Sequence, residues 1–481
     1  MASLKSEMLN GVFWSAIEKY SGMLVSFIVS AILARLISPK DFGIVAVAMV
    51  IINFLQMFST MGIGPAIIQR KDLESDEINI IYTCTFLGGI VLSTLLFVLS
   101  WPIARFYEND ILTVICQVLT VQFFFSSVNI VPNALMSRDK RFREIAKRTL
   151  CFRLFSGVCA VLAAYNGSGI YSLLISPVIT SIGIFLYNKR MYSLKVIRKL
   201  SLEPLKKIYQ FSLYQFLFEF FNYFARNLDK LIIGKYINMN DLGYYEKSYR
   251  LMQMPMNSVT SVINPVLQPV LSTLQSDKEE LSIKYNKITR FVSFVSFPIG
   301  ALLFLCSREC ILIVFGDQWT NAIPSFTALT LSLPIQMILS TSGSIYLAAN
   351  DSKHLFYSGF RNSITTILGL IFALLFFHTI EAVAWSYTIT LLINFFRSSY
   401  ILYHQVLKTN IGDMLNLLIA PFVLFVILLV LGYILNVFLG VYDNIYVSFF
   451  IKVIFVIFLS LSFIQVGGYF NLISLIRKKK E

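Results

Sequence analysis

Charge is scarce in this chain. Only 14% of its 481 residues are charged and 57% are hydrophobic, whereas a soluble domain carries roughly 25% and 45–50%. A larger soluble core does not explain the gap, because core volume stops growing beyond about 250–300 residues. Histidine occurs only as His354, His378 and His404, far apart in the sequence. Cysteine is limited to Cys84, Cys116, Cys151, Cys159, Cys306 and Cys310, in or near apolar runs. Cys306 and Cys310 stand one helical turn apart without a histidine beside them, so buried inert thiols are expected and no metal site. The chain has no G-x-x-x-x-G-K-[ST] loop, no H-E-x-x-H, no G-x-S-x-G and no Asp-x-Asp. ATP hydrolysis and covalent catalysis are therefore not expected, and neither is a cofactor. A signal peptide is not expected either: the first apolar run, 11–37, is too long for an h-region and has no clear cleavage site.

What the chain does have is a succession of apolar runs near the length of a bilayer crossing, and a mean hydropathy of +0.72. The expected fold class is an all-α polytopic membrane protein of about fourteen transmembrane helices. The spans fall near 11–37, 42–64, 78–101, 111–135, 148–165, 169–188, 207–236, 242–272, 285–314, 321–349, 355–377, 381–404, 412–436 and 445–470. With the N-terminus inside, the inner connections hold 25 basic residues, among them Arg138–Arg148, Lys189–Lys207 and the tail Arg477–Lys480. The outer ones hold 5: Arg35, Lys40, Arg105, Lys235 and Arg308. That asymmetry predicts both termini on the cytoplasmic side. It also explains the net charge of +14 without nucleic acid.

The sequence also matches itself at an offset of 200. ILARLISPKDFG (Ile32–Gly43) aligns with IIGKYINMNDLG (Ile232–Gly243) with identities at Ile, Ile, Asp and Gly, and Ile63 and Pro65 align with Ile263 and Pro265. A weaker echo links Leu135–Asp139 to Leu347–Asp351. Two pseudo-symmetric six-helix bundles are expected, 1–190 and 207–407, joined by a basic cytoplasmic linker, 191–206. Two further helices and a basic tail follow in 408–481. Parallel repeats of this kind place a substrate cavity between the lobes.

An ionisable group at bilayer depth costs at least about 2.5–3.5 kcal/mol and normally faces a bundle interior or a wet cavity. The basic candidates are Lys19, Arg153, Arg226, Lys230, Lys247, Arg250, Arg290, Arg361, Arg397 and Lys452; the acidic ones are Glu18, Glu219, Asp229 and Glu246. The excess is positive, which suits an anionic substrate better than a cationic drug. Arg226 and Lys230 share a helix face beside Asp229, and with Arg250 they are placed towards the outer leaflet. Lys19, Arg153, Arg290 and Arg397 are placed towards the inner one. The expected binding set is Lys19, Arg226, Lys230, Arg250, Glu18, Asp229, Arg290 and Arg397, with Asn53 and Gln56 available to sugar hydroxyls. The plain alternatives are local neutralisation for Glu18–Lys19 and Asp229–Lys230. For Arg153, Arg361 and Lys452 the alternative is snorkelling, and for Asn53, Gln56 and Asn222 it is helix–helix bonding.

The segments ARLISPKDFGIVAVAMVIINFLQMFSTMGIGPAIIQRKDL (Ala34–Leu73), NLDKLIIGKYINMNDLGYYEKSYRLMQMP (Asn227–Pro255) and FGDQW (Phe315–Trp319) resemble the bacterial polysaccharide exporters of the Wzx type, in the multidrug/oligosaccharidyl-lipid/polysaccharide exporter superfamily. The resemblance implies a cationic cavity lined largely by helices 1, 2, 7 and 8, worked by alternating access. It implies flipping of an undecaprenyl-pyrophosphate-linked oligosaccharide, for O-antigen or another surface polysaccharide, across the bacterial inner membrane. The implied partners are that lipid-linked substrate, membrane lipids, a polysaccharide polymerase and glycosyltransferases. Other readings are a drug/cation antiporter or a peptidoglycan lipid II flippase of the same fold. A membrane glycan polymerase would need a large outer loop, which is missing.

Overall fold

The structure is a computed structural model that describes residues 2–70, 72–197, 220, 223–224, 226–275, 277–439 and 444–469, with side chains from residue 10 onward except at 262, 265, 266, 268, 269, 352 and 439. Among these there are helices and no strand. The chain divides into two units, Met1–Gly243 and Tyr244–Glu481. The first contains α1 (Ala2–Leu36), α2 (Pro39–Thr60), α3 (Ile63–Gln69), α4 (Ser75–Phe106), α5 (Ile111–Val128), α6 (Ile130–Arg138), α7 (Phe142–Tyr165) and α8 (Ser172–Met191). It also contains α9, helical over 226–236. The division falls inside α10 (Met239–Ser272). The second unit continues with α11 (Lys278–Leu305), α12 (Ser307–Phe315), α13 (Ile323–Thr330), α14 (Leu333–Ala348), α15 (Ser352–Phe377), α16 (Ile380–Tyr400), α17 (Ile411–Leu439) and α18 (Ile445–Val466).

Among the described residues nine helices are long and apolar enough to cross a membrane, or ten if the bent pair Asp317–Thr330 and Leu333–Ala348 forms one span. Helices α7, α10 and α16, of 24, 34 and 21 residues, are long enough but are not among the nine. They carry Arg153, Glu246, Lys247, Arg250 and Arg397, the in-helix charges singled out above. Most of the seventh expected span lies outside the described residues, with Glu219 and Asn222; so do most of the basic linker and the Arg477–Lys480 tail.

The repeat has a structural counterpart at the starts of α2 and α10. Ser38 caps α2: its Oγ accepts from Asp41 N–H at 3.3 Å and donates to Asp41 Oδ2 at 2.8 Å. Two hundred residues on, Asn238 Oδ1 accepts from Asp241 N–H at 2.7 Å while its Nδ2 donates to Asp241 Oδ2 at 2.8 Å. A short polar side chain before the helix and a carboxylate in its first turn satisfy otherwise unpaired N–H groups. Two residues beyond each Asp stands a glycine, and the two glycines meet. A methyl at Gly43 would stand 1.8 Å from Met239 O and 3.0 Å from Gly243 N; one at Gly243 would stand 1.9 Å from Pro39 O and 3.3 Å from Gly43 N. The reciprocity is that of a local two-fold. Only a residue without Cβ allows backbones this close, as at small-residue crossings of membrane helices.

Elsewhere the packing is tied by polar side chains that find partners within protein. In the first unit Asn188 accepts from Arg148 and donates to Asn129 Oδ1 at 2.8 Å and Asn133 Oδ1 at 3.2 Å, linking α6, α7 and α8. In the second, Lys452 on α18 pairs with Glu309 on α12, which also accepts from Ser448 Oγ at 2.8 Å. Lys452 and Glu309 are 6% and 5% exposed. The snorkelling considered for Lys452 is thus corrected: its ammonium turns inward to a buried carboxylate.

Two outcomes follow for stability in detergent. Gly43→Ala and Gly243→Ala each lower it by at least about 1–3 kcal/mol, as overpacking does, and less than additively when combined. Gly88→Ala, where a Cβ meets nothing within 4 Å, is neutral or stabilising in the same melt. Glu309→Ala costs about 3–5 kcal/mol by stranding a buried ammonium, and Glu309→Gln combined with Lys452→Met recovers most of it.

Candidate functional site

Helices α1 and α7 run parallel, as three contacts show: Gly11 with Phe142, Gly22 with Arg153, and Val29 with Gly157. Between them Ser15, Glu18, Lys19, Gly22, Met23, Ser26 and Arg153 line an open cavity of about 470 Å³. The α1 residues fall at intervals of three and four, so one helical face supplies them. A methyl on Gly22 would stand 2.2 Å from Arg153 Nη1. The guanidinium therefore lies against bare α1 backbone, and glycine at 22 is what lets it reach the cavity. Lys19 is exposed and Glu18 half-buried. Arg153, for which snorkelling was the plain alternative, lines the same cavity as Lys19. The trio carries two positive groups and one negative. A guanidinium offers paired donors to a phosphate and an ammonium adds a point charge, so the arrangement can hold a multiply charged anion.

The other candidates are distributed as follows. Arg226 is exposed and Lys230 half-buried on α9. Asp229 is 4% exposed, and its Oδ1 accepts the Lys230 N–H at 2.8 Å. Asn53 on α2 is exposed, while Gln56 donates to Ser127 Oγ at 3.5 Å, towards α5. In the second unit Arg250 pairs with Glu246 at 2.5 Å and still leaves 62% of its side chain exposed. Arg290 stands 5.4 Å from the Tyr469 ring. Arg397 donates to Thr365 Oγ1 (2.8 Å), Asn362 Oδ1 (2.9 Å) and Asn394 Oδ1 (2.7 Å), within the α15–α16 pair.

Lys247 carries more structure than the sequence disclosed. It is 3% exposed, with its ammonium 5.3 Å from the Phe315 ring and 5.9 Å from that of Trp319. The FGDQW segment makes this possible. Gly316, at φ 93°, turns the chain between α12 and the 3₁₀ turn Asp317–Ala322, so that rings on both sides of the turn face one cation. Tyr244 meets Trp319 edge-on at 5.8 Å. The motif was visible; the lysine it encloses was not, because the two lie on different helices. Among the described residues no group of three His, Cys, Asp or Glu side chains could hold a metal ion.

Comparison with known proteins places this architecture. The family described as polysaccharide biosynthesis protein matches residues 32–324, from the first copy of the repeat motif through FGDQW. An uncharacterized membrane protein in the cps region of Klebsiella pneumoniae is 26% identical over 428 residues, covering 88% of this chain and 87% of that protein. The teichuronic acid biosynthesis protein TuaB of Bacillus subtilis (strain 168) is 24% identical over 430 residues, 88% of each. Among solved structures, the lipid II flippase MurJ in its inward closed conformation matches with a TM-score of 0.72 at 15% identity, covering 95% of this chain and 98% of that one. At that identity the likeness is one of fold.

The Gly22–Arg153 contact is testable. Gly22→Val should displace the guanidinium and weaken binding of inorganic pyrophosphate to the purified protein about tenfold, the loss of roughly one charge-assisted contact. Arg153→Ala should match it in titration calorimetry. Unchanged affinity in both variants, with unchanged melting temperature, would count against an anion in this cavity.

Proposed function

The chain belongs to the polysaccharide biosynthesis protein family, and from that premise we propose that it flips an undecaprenyl-pyrophosphate-linked oligosaccharide across the bacterial cytoplasmic membrane for surface-polysaccharide assembly. The observation that carries the reading is the meeting of Lys19 and Arg153 in one cavity over Gly22. Two cations at membrane depth cost several kcal/mol unless something answers them, and a diphosphate head answers both. Glu18 keeps the pocket from holding the anion too tightly, which a transporter needs in order to release it.

In this reading the chain crosses the membrane fourteen times with both termini inside. Alternating access moves the head group while the lipid tail stays in the bilayer. Arg226, Lys230 and Arg250 serve as further stations, Arg290, Arg397 and Asp229 tune the charge along the path, and Asn53 and Gln56 meet sugar hydroxyls. Translocation makes and breaks no covalent bond, so no catalytic residue or cofactor is required. The glycosyltransferases that build the substrate and the polymerase that consumes it are the natural partners. A drug/cation antiporter on the same fold would want a net acidic pocket, whereas this cavity has one carboxylate against two cations. A lipid II flippase would present the same diphosphate and differ only in the glycan.

Complementation of a flippase-deficient strain tests the proposal. Lys19→Ala, Arg153→Ala, Arg226→Ala, Lys230→Ala and Arg250→Ala should each lower surface polysaccharide, by about tenfold where a charged contact to the diphosphate is lost. Lipid-linked units should then accumulate facing the cytoplasm. Wild-type export from all five at normal expression would refute the cationic path. Normal flipping with unpolymerised units displayed outside would point to the polymerase reading instead.

A further inference from the structure

Helices α15 and α16 form a hairpin, joined by the turn His378–Thr379. Along one side of it runs an open groove of about 600 Å³, lined from Gly369 to Phe377 on one helix and from Glu381 to Thr390 on the other. Its walls are apolar and aromatic: Phe372, Phe377 and Trp385 line it and are 55%, 59% and 40% exposed. At its inner end the helices touch, where a methyl on Gly369 would stand 2.4 Å from Thr390 Cγ2. At its mouth stands Glu381, in the first turn of α16 and exposed.

In a bilayer such a groove does not stay empty, since a void forfeits dispersion contacts with its walls, and water finds few polar partners along them beyond Thr379, Glu381, Ser386 and Thr390. Its length selects among lipids. From Glu381 to Thr390 the rise is about 14 Å at 1.5 Å per residue, close to one leaflet of a hydrocarbon core about 30 Å thick. A phospholipid acyl chain matches that depth; a long polyprenyl tail would outrun it. The charge at the mouth selects the head group. The opposite end of the same hairpin carries Arg361 and Arg397, but the mouth presents a carboxylate, which attracts an ammonium and repels an anionic head.

We propose that this groove binds one acyl chain of an aminophospholipid of the phosphatidylethanolamine class, its ammonium paired with Glu381. The site lies within one helical hairpin and does not depend on the flipping reading.

The full-length protein is purified in mild detergent, offered equal amounts of phosphatidylethanolamine and phosphatidylglycerol with the same acyl chains, and examined by native mass spectrometry. The wild type should retain the ethanolamine lipid about fivefold over the glycerol lipid, as expected for one interfacial ion pair. Glu381→Gln should bring the two to parity while total lipid is kept. Ala382→Phe, which fills the groove, should lower retention of both. A wild-type ratio at parity overturns the proposal whether or not any variant folds. So does an unchanged preference in Glu381→Gln, full retention in Ala382→Phe, or displacement of the ethanolamine lipid by added undecaprenyl phosphate.

Discussion

Hydrocarbon offers a charge no partner, so each ionisable group this chain carries into the membrane must be answered by protein or water. The answers differ from helix to helix. Lys452 meets the carboxylate of Glu309, Lys247 lies under two aromatic rings, and Arg397 spends three donors on neighbouring side chains. Arg148 is held by Asn188, itself bound to two further asparagines. These groups are engaged with neighbouring helices. Lys19 and Arg153 stand apart because they share a cavity large enough for a ligand. What separates the two sets of charges is available space, not residue type.

The second constraint is closeness of backbone. Gly43 and Gly243 bring two helix starts within a distance that no side chain permits, and Gly22 lets Arg153 lie on α1. Both depend on an atom that is missing. The first lies where α2 and α10 start, and the second borders the cavity that Lys19 and Arg153 line.

The helix caps at Ser38 and Asn238 involve none of the residues that line the α1–α7 cavity. The family model for polysaccharide biosynthesis proteins matches this chain, and a solved lipid II flippase of only 15% identity shares its fold. Within such a scaffold a single charged contact to a ligand shifts binding by a factor of ten for each 1.4 kcal/mol, roughly.

Composition and hydropathy by themselves determined the membrane class and the helical architecture, since only closed hydrogen bonding along a segment survives in lipid. The residue identities at an offset of 200 pointed to two helix starts, at which Ser38 and Asn238 each accept from the N–H of the aspartate three residues on. Which charges meet was decided by tertiary structure alone. Lys452 finds Glu309 143 residues away, Arg153 comes to line one cavity with Lys19, and FGDQW closes over Lys247. Such pairings depend on how helices rotate and cross, and that is set by packing summed over many side chains, which no local spacing encodes.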